Sequence, residues 1–103
     1  MTVYMNDGLR ERLTALVTQK TAEELGLSDA SVADASKEEV VGLVIQRHCE
    51  PIDQEAWYID PVAFKKRKLF ELWRALYGDE QFVNVAGQYY FVKDVKAMLD
   101  RLA

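Results

Sequence analysis

Apolar positions in this chain follow two rhythms, a helical one in four stretches and an alternating one in a fifth. Leu9, Leu13, Leu16 and Val17 recur at helical spacing behind Asn6 and Asp7, either of which can cap a helix that starts there. The stretch from Thr18 to Leu25 either continues that helix or opens a second one. Gly26 is placed to stop it, because glycine adopts the left-handed conformation that closes a helix C-terminus. Residues 28–36 are small and polar and read as a loop or one short helical turn. Ser36 followed by Glu39 is a capping-box pattern. It predicts a helix from Lys37 to about His48 with Val40, Val41, Val44 and Ile45 inward. The same run holds four β-branched residues and Gly42, which suit a buried strand; the cap decides for the helix.

Residues 49–60 contain Pro51 and several carboxylates and read as a connector, although Trp57, Tyr58 and Ile59 are apolar enough to pack. Asp60-Pro61 starts a further helix, since aspartate caps and proline fits the first helical position. Helix 61–77 puts Val62, Leu69, Leu72, Trp73, Leu76 and Tyr77 on one broad stripe, with Arg67, Glu71 and Arg74 on the opposite, outer face. Gly78 ends it. Phe82–Val85 and Gln88–Val92 then flank Ala86-Gly87 as a β-hairpin with a two-residue turn, a weaker turn signal than Asn-Gly. The last helix runs from about Lys93 to Leu102, with Val95, Met98, Leu99 and Leu102 on one face. The fold class expected is α+β: a small, mainly helical domain of about four helices, with one C-terminal antiparallel hairpin between the last two. Residues 1–103 are read as a single domain.

Composition changes this picture little. Half of the 103 residues are apolar and 29% are charged, as in an ordinary globular protein. No basic stretch followed by an apolar run opens the chain, and no window approaches the ~18 apolar residues of a membrane span. One cysteine excludes an internal disulfide. A reduced, cytoplasmic protein without a membrane association is the expectation. Charge is divided unevenly. Residues 1–60 carry five basic against twelve acidic groups, a net of −7, and residues 61–103 carry eight against five, a net of +3. Such asymmetry marks a face for a charged partner or an internal match between the two halves.

Candidate chemistry is sparse. His48 and Cys49 are adjacent, so on a helix they point about 100° apart and do not form a nucleophile–base pair. Glu50, Asp53 and Glu55 follow them without a recognised ligand spacing. His48 is read as a helix-end histidine on the last carbonyls, and Cys49 as a small, partly buried apolar residue. The carboxylate pairs Glu23/Glu24, Glu38/Glu39 and Asp79/Glu80 suit helix dipoles and solvation. The glycines are scattered, with no phosphate-binding loop among them. No catalytic residue, cofactor or metal is assigned.

Two segments bear on nucleic acid. Ala22-Glu23-Glu24-Leu25-Gly26-Leu27-Ser28 followed by Ser31-Val32 resembles a helix-turn-helix motif, in which a small residue lets two helices approach and Leu-Gly makes the turn. The resemblance covers about a tenth of the chain. Its would-be recognition helix, residues 28–36, carries Asp29 and Asp34 and no basic residue, a poor match to phosphates. The other segment is Lys65-Lys66-Arg67-Lys68, with Arg74 beyond it. Helix then hairpin is the order of a recognition helix and its wing. These five residues define the alternative reading, a winged-helix-like nucleic-acid binder.

The hairpin is the most unusual feature. Alternation puts Phe82, Asn84, Tyr89 and Phe91 on one face and Val83, Val85, Gln88, Tyr90 and Val92 on the other, both largely apolar. A two-stranded ribbon normally wets one face. Either helices cover both, or one meets a partner, and the ribbon's edges can also pair with another chain. The leading expectation is a non-enzymatic binding or regulatory module acting through protein contacts, with another protein or with its own copy as a homodimer. Phe82, Tyr89, Tyr90, Phe91, Arg67 and Arg74 are its candidate contact residues, and the acidic first half suits a basic protein surface. A small enzyme ranks third.

Overall fold

A computed structural model describes residues 1–28, 32–53, 71–72 and 74–103. Strand β1 (Val3–Tyr4) opens the chain, and helix α1 (Asp7–Gln19) follows. Asn6 is its cap, accepting the Leu9 N–H at 2.8 Å on Oδ1. Leu9, Leu13 and Leu16 are buried along one face of α1, as their spacing predicts. Helix α1 stops at Gln19 rather than continuing to Leu25. Thr21 to Leu27 is instead one tightly closed turn. The Thr21 hydroxyl accepts the Glu24 N–H, and the Glu24 carboxylate accepts the Thr21 N–H at 2.8 Å. These two bonds make a reciprocal capping box and hold the Glu24 carboxyl below its ordinary pKa. At the far end Leu27 N–H bonds to Ala22 O and Gly26 N–H to Glu23 O. Gly26 sits at φ +72°, the left-handed position of a Schellman closure.

Helix α2 (Lys37–His48) confirms the helical reading of the β-branched run. The Ser36 hydroxyl accepts the Glu39 N–H at 3.2 Å, so the cap prevails over strand propensity. Val41, Val44 and Ile45 are buried, and Val40 is partly buried against the core. Residues 71–72 and 74–77 are helical, and Gly78–Glu80 is a 3-10 turn. Trp57, Tyr58 and Ile59, the Asp60-Pro61 start and the rest of the expected helix 61–77 lie outside the described residues. Strands β2 (Phe82–Val85) and β3 (Gln88–Phe91) form the expected hairpin, and helix α3 (Val92–Leu102) ends the chain.

The sheet corrects one expectation. The hairpin is not an isolated ribbon: β1 pairs antiparallel with β2, giving a three-stranded antiparallel sheet in the order β1-β2-β3. Two residues are too few for a periodic signal, although Val3 and Met5 do alternate inward around Tyr4. Gly42 of α2 packs closely against both paired strands. A Cβ on it would lie 3.1 Å from Val3 Cγ2 and 3.3 Å from Val85 Cγ1 and would collide with Met1 Sδ. A side chain here would require Met1 to move and both valines to shift by a few tenths of an ångström.

One face of the sheet packs on the helices. Val3, Val83, Val85 and Tyr90 point into a core shared with Leu13 of α1, Ile45 of α2, and Val95 and Met98 of α3. The described residues therefore support an α+β architecture, with helices stacked on one face of an antiparallel sheet.

Candidate protein-contact surface

The hairpin register puts Phe82 opposite Phe91, Val83 opposite Tyr90, Asn84 opposite Tyr89 and Val85 opposite Gln88. The division of side chains between two faces is therefore the one that alternation predicts. Tyr90 belongs to the inner face and is only 2% exposed. Burial, with Cys49 nearby, pushes its phenol above the ordinary tyrosine pKa. Its place is the core, which corrects its reading as a contact residue.

The outer face carries Tyr4, Phe82, Asn84, Tyr89 and Phe91. It is partly covered by the chain itself. Phe82 is 3% exposed, with its ring 5.8 Å from that of Phe91, so it too is no surface contact. Tyr89 and Phe91 are half-buried. The Arg74 guanidinium lies over the Tyr89 ring, 4.6 Å from its centroid, a cation–π geometry. Lys93 Nζ stands 5.2 Å from the Phe91 centroid. Tyr4, Arg74, Asp79, Asn84 and Tyr89 border an open groove of about 280 Å³. Asn6 Nδ2 donates to Asp79 O at 3.1 Å, tying the 3-10 turn to the start of α1.

Both sheet edges are engaged from within. At the β1 edge, Val3 O accepts Arg10 Nη2 at 2.8 Å. At the β3 edge, Tyr89 O accepts the Ile52 N–H at 2.7 Å. Each contact occupies an outward carbonyl that an added strand would need, so the hairpin edges are not the open templates the isolated ribbon suggested.

Among the described residues of the helical stretch beside the groove, three depart from the expected orientation. Arg74, assigned to the outer face, lies on the sheet, and Glu71 and Gly78, three before and four after it, are likewise half-buried. Leu72 and Leu76, assigned to the inward stripe, are 56% and 68% exposed. The planar guanidinium stacks on the aromatic ring of Tyr89. Tyr77 beside them is 42% exposed, and Tyr4 across the groove is 62% exposed. Lys65, Lys66, Arg67 and Lys68 lie outside the described residues.

The remaining candidates are structural. His48 Nε2–H donates to Leu25 O at 2.7 Å, and Arg47 Nε donates to Gly26 O at 3.3 Å. The histidine thus bonds a carbonyl of the preceding closed turn and not the last carbonyls of its own helix. Cys49 is buried, its Sγ 3.8 Å from both Asp94 O and Met98 Sδ. Burial, with Asp94 adding to it, pushes its thiol pKa up, while Arg101 draws it down by less. A neutral, enclosed thiol is a poor nucleophile. Glu50 and Asp53 are exposed, and Glu55 lies outside the described residues. Among the described residues no group of three or more His, Cys, Asp or Glu is placed to hold a metal ion. Nor is any helix among them long and apolar enough to cross a membrane. In the segment resembling a helix-turn-helix, residues 22–26 are the closed turn, Ala33 to Ser36 are non-helical, and residues 29–31 lie outside the described residues.

No family model matches the chain, no curated protein is similar to it, and no solved structure matches it. Its functional reading rests on its own residues.

Proposed function

We propose that this chain is a non-enzymatic protein-binding module whose contact surface is the outward face at Leu72 and Leu76, with Tyr77 at its margin. The observation that carries this reading is the exposure of Leu72 and Leu76 on one face of the helical stretch. A single exposed leucine is ordinary. Leu72 and Leu76 are one helical turn apart and share a face, with a third large apolar residue, Tyr77, beside them. Fully burying one leucine stabilises a protein by about 1.5–3 kcal/mol, so leaving two in water forgoes a sizeable gain that a partner would recover. Tyrosine suits the margin of such a surface because it offers apolar area with a polar tip.

The reading keeps the protein-contact function that the sequence suggested and moves its centre. Tyr90 and Phe82 leave the contact set, and Tyr89 and Arg74 become a stack that holds the helical stretch against the sheet. The partner is another protein or a second copy of the chain. The paired variant Leu72→Asp/Leu76→Asp tests this. Sedimentation equilibrium over a concentration series, with cross-linked complexes recovered from the host cell in parallel, compares it with the parent chain. Association is expected to fall at least tenfold while the melting temperature is held or raised, since both positions are exposed. Unchanged association in both measurements would overturn the assignment.

A further inference from the structure

We draw no further inference here: the strongest candidate, the exposed apolar face at Leu72 and Leu76 on the helical stretch beside the sheet, belongs to the surface already described, and nothing in the structure shows what covers it.

Discussion

Ala86 is a residue in the wrong conformation for its type. It stands at φ +52° and is followed by Gly87 at φ +87°, the two positive values of a type I′ turn. The left-handed region costs a residue with a Cβ about 1 kcal/mol, and Asn tolerates it better. Ala86→Asn is therefore expected to stabilise the fold by about 0.5–1 kcal/mol, read as a higher urea midpoint; a lower midpoint would contradict the turn assignment. Here the sequence was legible in kind, because alternation on both sides of Ala86-Gly87 required a two-residue turn despite the weak dipeptide. Cys49 makes a second prediction. Its thiol pKa is raised in the folded protein, so the folded chain keeps that proton where the unfolded chain has lost it. The stability this contributes is complete below the ordinary thiol pKa of about 8.5 and is lost as pH rises through the folded value. Unfolding midpoints are expected to drop on alkaline titration from about pH 8, and Cys49→Ala should remove the earliest part of that drop. Tyr90, whose pKa is also raised, contributes to the later part. An identical alkaline profile in Cys49→Ala would mean that the thiol titrates alike in both states.

At the scale of elements, caps and periodicity carried most of the reading. Asn6 and Ser36 start α1 and α2 where the pattern places them, and α3 is one residue longer than its apolar face required. Strand β1 escaped notice because two residues make no period. It packs closely against Gly42, 39 positions away in sequence, a contact that leaves no local mark. The closed turn at Thr21–Leu27 was visible in principle, since Thr21 and Glu24 have capping-box spacing. The two hairpin faces give the clearest contrast in outcome. Tyr90→Ala removes a ring from the core and is expected to cost about 3–5 kcal/mol, as aromatic truncations in cores do. Tyr89→Ala, on the half-buried outer face, is expected to cost clearly less, because it loses a surface stack with Arg74. Equal losses in chemical denaturation would place both faces in the core and remove the distinction on which the site was drawn.

At the scale of the molecule, the described helices cover one face of the sheet, and Tyr89 and Phe91 on the other face are half-buried. This asymmetry was the hardest feature to read from sequence. Helical periodicity identified which residues of the stretch ending at Tyr77 share a face, but not which face the rest of the fold would accept. Among its described residues Arg74 lies over Tyr89, while Leu72 and Leu76 are exposed. At the sheet edges, the Val3 and Tyr89 carbonyls are each engaged from within the chain. On the proposed function, this outward face is where another protein binds. It is tested most directly by placing a photoreactive side chain at position 76 and, as a control, at the exposed position 15 on α1, and irradiating each chain in the cell that makes it. A discrete protein cross-link, to a partner or to a second copy, is expected from position 76 and none of comparable yield from position 15. Equal yields from both positions, or no cross-link from position 76, would contradict it.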